Sequence, residues 1–142
     1  MTVNSVLDGI MQYLKTYTGV GSNPVWVDFL GQTPTEYGVI PLPGARIVEE
    51  YLNGASLREF PFAFNATMAT ADDTTRLANS DFFETFAAWL ESQTLAGTLP
   101  TLEAGKTAEE IIATGWGYLF QQGESGTGIY QIQCKLTYAQ SA

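Results

Sequence analysis

The most regular pattern of apolar and polar positions lies at the end of the chain, between residues 129 and 138. Every second side chain there is apolar, namely Tyr130, Ile132, Cys134, Leu136 and Tyr138, and the side chains between them are polar, namely Gln131, Gln133, Lys135 and Thr137. Successive side chains of a strand point to opposite sides of a sheet. The alternation therefore predicts a strand with one face in a core and the other face wet or available to a partner.

Two other segments repeat apolar residues at intervals of three and four, which is typical of amphipathic helices. The first helix is predicted over residues 4–17, with Asn4 or Ser5 as its cap. The second helix is predicted over residues 75–93. Its apolar stripe consists of Leu77, Phe82, Phe83, Phe86, Trp89 and Leu90. A stripe this regular favours core packing over a cofactor site.

A hairpin is predicted around Asn53 and Gly54, since these residue types suit the two-residue turn that matches the twist of paired strands. Its strands are expected over residues 46–52 and 55–64. Counting outward from the turn pairs Tyr51 with Ser56, Glu49 with Arg58 and Ile47 with Phe60. Because Pro61 has no N–H to donate to a ladder, the second strand is expected to lie at a sheet edge or to carry a bulge there.

The remaining strand signals are shorter or less regular. A strand is predicted over residues 25–30, and a short extended piece around residues 39–40. Residues 107–112 have the capping-box spacing of a helix start but continue into the β-rich segment 116–120, so helix and strand both stay open. A long bent strand is favoured, joined to the last strand by a glycine-rich loop at 123–128. The whole pattern predicts an α+β fold in which two main amphipathic helices pack on an antiparallel or mixed β-sheet.

Composition narrows the class of protein. The 142 residues suit a single domain spanning residues 1–142, and 45 % hydrophobic against 15 % charged residues argues against disorder. Six basic and fifteen acidic residues give a net charge of −9, the opposite of what phosphate binding requires, so no specific binding to nucleic acid is expected. The start of the chain lacks a secretory pattern and no apolar run is long enough to span a membrane, so synthesis in the cytoplasm is expected.

Most catalytic chemistry lacks its usual residues. The chain contains no histidine, which removes the commonest general base and zinc ligand. Its one cysteine, Cys134, falls on the apolar face of the last strand, where a thiol acts as a small buried hydrophobe. The run Gly105, Lys106, Thr107 looks like the end of a phosphate-binding loop, but Pro100 stands where the first glycine belongs. A plain surface turn is the better interpretation.

The acidic pairs and the glycine spacings do not indicate a metal-binding or nucleotide-binding site either. Asp72 with Asp73 and Glu109 with Glu110 could be proposed for metal binding, but solvated acids are the simpler interpretation, with the aspartates favouring the helix dipole. The glycines Gly123, Gly126 and Gly128 do not follow the dinucleotide-binding spacing and suit a hairpin tip. No catalytic, cofactor-binding or metal-binding residue is therefore predicted, and no cofactor.

Several short runs resemble a family of small proteins from tailed bacteriophages and prophages, the minor capsid proteins similar to tail terminators. The runs are Arg76-Leu77-Ala78-Asn79-Ser80, Phe82-Phe83, Trp89-Leu90-Glu91, Leu99-Pro100-Thr101-Leu102, Gly105-Lys106-Thr107-Ala108, Tyr118-Leu119-Phe120 and the strand 130–138. They cover roughly the second half of the chain, and the first half matches in layout more than in residues.

The resemblance implies a structural protein rather than an enzyme. Tail-terminator-like proteins form a homo-oligomeric ring, with six subunits as the expected number, at the head-proximal end of the tail. The implied partners are tail-tube and head-connector proteins, and the implied location is the virion, after synthesis in the cytoplasm of the host bacterium. No catalytic residue belongs to the family.

Two other functions stay open on the residues alone. One is a small-ligand-binding module or an enzyme such as a transferase, with a pocket formed by aromatic side chains, namely Phe60, Phe62, Phe64 and Trp116. A buried cavity with converging polar groups would favour it. The other is a regulatory module for a cellular partner, which composition does not exclude.

Overall fold

The computed structural model describes residues 3–21, 23–27, 35–44, 46–123 and 126–142. Within these ranges the chain forms two helices and seven strands: α1 (Val6–Leu14), β1 (Val25–Val27), β2 (Glu36–Pro41), β3 (Ile47–Glu50), β4 (Ser56–Ala69), α2 (Asp73–Ala96), β5 (Lys106–Ala113), β6 (Tyr118–Gln122) and β7 (Thr127–Gln140). Residues 28–30 of the predicted strand 25–30 lie outside the described residues.

The two longest strands, β4 and β7, pair antiparallel along their whole length and form the centre of the sheet. The strand order is β1-β2-β4-β7-β5. Strand β3 pairs with the first residues of β4, beyond the end of β2, and β6 pairs with the first residues of β7, beyond the end of β5. Every pairing is antiparallel except the parallel pairing of β1 with β2. The prediction of an α+β fold with an antiparallel or mixed sheet is confirmed.

One face of the sheet forms the core, as the alternation in the last strand predicts. All five apolar residues of β7, from Tyr130 to Tyr138, are buried. The ring of Phe86 in α2 stacks on Phe64 of β4 with centroids 4.6 Å apart, and Phe83 stacks on Tyr130 at 6.0 Å. Burying each such phenylalanine contributes about 1.5–3 kcal/mol. The aromatic stripe of α2 therefore holds the helix to the sheet.

The ends of the helices follow from local chemistry. The Ser5 hydroxyl accepts a hydrogen bond from the Asp8 N–H at 3.1 Å, and the Asp72 carboxylate accepts one from the Thr75 N–H at 2.8 Å. Each bond satisfies one of the N–H groups that a first helical turn leaves unpaired. Helix α2 ends at Gly97, whose φ of +76° is a left-handed conformation that glycine adopts readily.

The stripe predicted for α2 is partly wrong. Phe83, Phe86 and Leu90 are buried, but Leu77 is 66 % exposed. Leu77 precedes Phe86 by nine residues, about two and a half helical turns, so its side chain points away from the face that packs on the sheet. An interval of three or four places a residue on the same side of the helix, whereas Leu77 lies five residues before Phe82, the next member of the predicted stripe.

The hairpin prediction gave the right position and the wrong register. Ile47 pairs with Arg58, Glu49 with Leu57 and Glu50 with Ser56, and a bulge separates the first two pairs. The N–H of Gly54 donates to the Tyr51 carbonyl at 3.0 Å, and the N–H of Tyr51 donates to the Ala55 carbonyl at 2.9 Å. The loop therefore has three residues, ending with Gly54 at φ +91°. Asn-Gly suits this longer turn as well as the two-residue turn, so the sequence does not settle the register.

Pro61 lies in a central strand, so the predictions of an edge strand and of a bulge at Pro61 are both wrong. The ladder to β2 ends at the pair of Pro41 with Phe62, and the ladder to β3 begins at Arg58. Pro61 falls in the gap between them, where its carbonyl accepts from the Leu42 N–H at 2.9 Å. The missing N–H therefore removes no bond from either ladder, which is the condition a proline must meet inside a sheet.

Residues 107–112 form part of β5, so the favoured strand is confirmed. The predicted long bent strand is in fact two strands, since residues 114–117 separate β5 from β6. A bulge between Ala108 and Glu110 makes Glu109 the extra residue of the pairing with β7. Strands β6 and β7 form the expected hairpin, and residues 124–125 of its loop lie outside the described residues.

Candidate functional site

The thiol of Cys134 is buried in the core, as predicted from its position in the last strand. It is 1 % exposed and pairs across the sheet with Phe62. Burial raises the pKa of the thiol far above its usual range, because a thiolate loses its hydration there. A thiol that stays protonated and unreachable by solvent does not act as a nucleophile.

Of the glycine-lysine-threonine run, Gly105 ends a surface turn and Lys106 and Thr107 begin β5. The ammonium of Lys106 pairs with the Glu103 carboxylate at 2.5 Å. A phosphate-binding lysine must instead be free to reach its anion, and the backbone amides of the loop must converge on it. The turn interpretation is confirmed for Gly105 and is wrong for Lys106 and Thr107, which belong to the strand.

The acidic pairs do not converge on a common point. Asp72 caps α2, and its pKa is lowered mainly by the hydrogen bond from the Thr75 backbone. Asp73 pairs with Arg76 on the next turn. Across the described ranges, no three of the His, Cys, Asp and Glu side chains come close enough together to hold a metal ion.

The aromatic residues considered for a pocket are spread over core and surface. Phe62 and Phe64 are fully buried, Phe60 is half-buried and Trp116 is 73 % exposed. The prediction that these four side chains line a common pocket is wrong. Phe64 packs against Phe83 and Phe86 of α2, and Phe62 lies in the same core. Alternate spacing along a strand is the same for core residues and for residues that line a cavity, so the sequence alone did not distinguish them.

A groove of about 480 Å³ lies between α1, the second half of α2 and the segment that follows it. The Tyr13 hydroxyl donates to the Thr98 carbonyl at 2.8 Å, and burial raises the pKa of that phenol although a hydrogen bond with Gln93 lowers it. The other lining residues are Val3, Gly9, Gln12, Thr16, Trp89, Leu99 and Thr101. The groove thus offers hydrogen bonds but no carboxylate or ammonium for acid-base chemistry at neutral pH.

The β6 patch is an exposed apolar surface at one edge of the sheet. It consists of Trp116, Tyr118, Leu119 and Phe120, with exposed fractions from 40 % for Leu119 to 73 % for Trp116. All five residues of β6 are exposed. Leu77 of α2 lies beside the patch and lines a groove of about 460 Å³ together with Tyr118 and Leu119. Side chains of this size on one exposed strand indicate a contact surface.

The β3 patch is a second exposed apolar surface, at the opposite edge. It consists of Ile47, Val48, Tyr51 and Leu52, of which Leu52 at the hairpin tip is fully exposed and the others are 40–50 % exposed. All four residues of β3 are exposed. Neither face of this strand is covered, so packing of the isolated subunit does not account for its apolar side chains.

The outer edge of β5 is closed by α2 at Ile111. The Thr94 hydroxyl donates to the Ile111 carbonyl at 2.7 Å and accepts from the Ile111 N–H at 3.1 Å. An unpaired strand edge is a template for pairing with another chain, and a side chain that occupies both groups of one residue blocks it there. Among the described strands on this side of the sheet, β6 is thus the more open one.

Sequence reasoning missed both patches as functional surfaces. A run such as Tyr118-Leu119-Phe120, with no polar residue between the apolar ones, is compatible with a strand buried on both faces or exposed on both. The absence of charge through residues 111–123 was a further signal that this segment meets another apolar surface. Only the sheet order shows that the segment lies at an edge.

No protein-family model and no curated protein matches the chain. Among the solved structures that are similar to it, one has 16 % identity and a TM-score of 0.44, over 94 % of this chain and 88 % of the other. A likeness at this level identifies neither a fold nor a function. Neither α1 nor α2 combines the length and apolar character that a membrane-crossing helix needs.

Proposed function

We propose that this chain is a structural virion protein of a tailed bacteriophage or prophage. It assembles into a ring at the head-proximal end of the tail and joins the tail to the head through contacts with tail-tube and head-connector proteins. It acts through complementary surfaces and not through a reacting group. Its place of action is the virion, after synthesis in the cytoplasm of the host bacterium.

The observation that carries this proposal is the pair of exposed apolar patches on opposite edges of one sheet. Two different surfaces on opposite sides of a subunit give a head-to-tail contact, which generates a ring when the rotation between subunits closes. A subunit whose partner used the same surface would need only one of them. The two patches therefore suit ring assembly better than they suit a simple dimer.

The residues that resemble the phage family support the proposal in a second way. Phe83, Leu90 and the strand 130–138 contribute to the core, so their apolar character follows from folding. Tyr118, Leu119 and Phe120 belong to the same resemblance but lie on the surface. Folding does not account for them, whereas an intersubunit contact does.

The net charge is compatible with a ring around a DNA channel. A charge of −9 on each subunit creates a negative potential, which repels phosphate and reduces adhesion of DNA during its passage. Of the described cations, Arg76, Lys106 and Lys135 already pair with carboxylates of the same subunit. A lumen with a positive potential in the assembled ring would contradict this part of the proposal.

The proposal is tested with phage particles produced without this protein. We expect headless or overlong tails in electron micrographs, because an uncapped tube neither stops growing nor joins a head. Supplying the intact chain from a plasmid should restore joined particles, which separates loss of the protein from damage to neighbouring genes. Normal, infectious particles in its absence would contradict the proposal.

A further inference from the structure

We infer that the β3 patch of one copy docks on the β6 patch of the next copy, so that the subunit contact joins two open sheet edges. This inference rests on the proposed ring and names the surfaces that build it. The occupant of each patch is thus a second copy of this chain.

The position of the patches in the sheet favours this pairing. Strand β7 occupies one side of β4 from Ser56 to Ala69, so β3 lies on the other side of β4, with β2. Strand β6 lies on the far side of β7. The two patches are therefore at opposite edges, and a second copy can be added to either edge without covering the other.

The patches also lie at opposite ends of the long strands. Strand β6 pairs with residues 128–131 of β7, whereas the β4 residues next to β3 pair with residues 138–140. These positions are about nine residues apart, or about 30 Å along the strands. Edge-to-edge contacts between copies are then staggered along the strand direction, so successive copies are offset from one another.

Charge explains why the β6 patch suits a second copy. Each subunit carries −9, so copies repel one another except where a surface lacks carboxylates. The thirteen residues 111–123, which include all of β6, carry no charge. The β3 patch brings Glu49 and Glu50, and these acids meet no further carboxylate on the β6 strand itself. The carboxylates beside the patch are Asp73, which pairs with Arg76 in the groove lined by Tyr118 and Leu119, and Glu91, which lines a groove with Trp116. Contact centred on residues 118–120 therefore places Glu49 and Glu50 next to uncharged side chains of β6.

The closed edge of β5 restricts where the β3 hairpin can dock. Thr94 already bonds both backbone groups of Ile111, so a strand added along β5 would have to displace the helix from them. All residues of β6 are exposed, and the β6 patch offers Phe120 on the strand and Trp116 just before it as large anchors. Aromatic anchors of this kind commonly dominate the binding energy of an interface.

The inference is tested by placing a charge in each patch separately. Leu52→Asp and Phe120→Asp should each weaken self-association roughly tenfold or more, because a carboxylate in an apolar contact loses its hydration. Leu95→Asp is the matched control, since Leu95 is 83 % exposed on α2 and belongs to neither patch. Association is measured by sedimentation velocity, and circular dichroism confirms that the variants are folded.

A mixture of the two variants gives the sharper result. Leu52→Asp keeps an intact β6 patch, and Phe120→Asp keeps an intact β3 patch. The mixture should therefore form pairs and stop, whereas each variant alone stays monomeric. Large assemblies from either variant, or pairs that form from Leu52→Asp alone, would overturn the inference and leave the proposed ring standing.

Cross-linking tests the contact where the isolated subunit associates weakly. Leu52→Cys and Phe120→Cys, prepared separately and mixed with a short bis-maleimide, should give a covalent pair, since both new thiols are exposed and Cys134 is buried. Leu95→Cys replaces either partner as the control. Failure to cross-link above this control, together with monomeric wild-type protein, would overturn the inference. The particle-assembly experiment tests the proposed function independently.

Discussion

The Thr94 hydroxyl on α2 bonds both backbone polar groups of Ile111 in β5, as donor to the carbonyl and as acceptor from the N–H. At Ile111, this side chain makes the two backbone hydrogen bonds that a neighbouring strand would otherwise make. It fixes the second half of the helix along the sheet edge and satisfies two groups that would otherwise lack partners.

Replacing Thr94 should destabilise the fold. In Thr94→Val the side chain keeps its shape but leaves the N–H and carbonyl of Ile111 unpaired, so we expect a loss of about 1–3 kcal/mol in the free energy of unfolding. Urea denaturation measures it. Thr85→Val is the control, since Thr85 is exposed on the same helix and should change stability by about 0.5 kcal/mol or less. Equal effects of the two substitutions would contradict the role of this bond pair.

The aromatic core should depend on Phe86 much more than on Leu77. Phe86 is fully buried between Phe64 and Tyr17, with ring centroids 4.6 and 5.4 Å away. Phe86→Ala removes these contacts and leaves a cavity, so we expect a loss of about 3–5 kcal/mol. Leu77→Ala should cost about 0.5 kcal/mol or less, because Leu77 is largely exposed. The two are compared by denaturant midpoints, and similar midpoints would contradict the packing described.

The hairpin turn should be sensitive to a side chain at Gly54. Its φ of +91° is rare for other residues, and an added Cβ would lie 3.2 Å from the Cβ of Ala142. Gly54→Ala should therefore cost about 1–2 kcal/mol, measured by thermal or urea unfolding. Gly115→Ala is the control: a Cβ there meets nothing within 4 Å and the residue has no positive φ. A Gly54→Ala protein as stable as this control would show that the loop adopts another turn.

Alkaline pH should weaken the fold through Tyr37. Burial, with a smaller contribution from Tyr17, raises the pKa of this phenol to about 12 from its usual 10. The folded state thus holds the proton more tightly than the unfolded state. The resulting stabilisation is fully present below pH 10 and is lost as the pH rises towards 12, by at most about 3 kcal/mol.

The Tyr37→Phe protein isolates this contribution. Because phenylalanine does not ionise, the variant should lose less stability between pH 10 and pH 12 than the wild type does, while the two behave alike in their pH dependence near neutrality. Urea unfolding at a series of pH values gives both curves. Parallel curves through the alkaline range would show that Tyr37 does not titrate as its burial implies.

The sequence predicted those parts of the fold that depend on local patterns. The alternation in β7 identified the buried face residue by residue, and the three-and-four spacing located α2 to within three residues at each end. These signals are strong because the side chains involved all face one core. Ser5 was one of two predicted caps of α1, with Asn4, and the structure selects Ser5. Asp72 was predicted only to favour the helix dipole, and its role as the N-cap of α2 was not predicted.

The predictions that were wrong or missing concern which strands pair with each other in the sheet. Pro61 suggested an edge strand, but the gap between two partner strands accommodates it in the centre of the sheet. The turn at Gly54 fixed the place of the hairpin and not its register, because the same residues suit two loop lengths. The β6 and β3 patches depend on the strand order of the whole sheet, so no local pattern shows that they face solvent.

The buried thiol of Cys134 allows the opening of each subunit to be measured by chemical labelling. A solvent-borne thiol reagent reaches it only when the core around it opens, so the rate of labelling follows the opening of the core. Labelling at several protein concentrations would show how much slower that opening becomes once a subunit has neighbours. The native chain thus supplies a measure of kinetic stability in the free and the assembled state, with no label added to its surface.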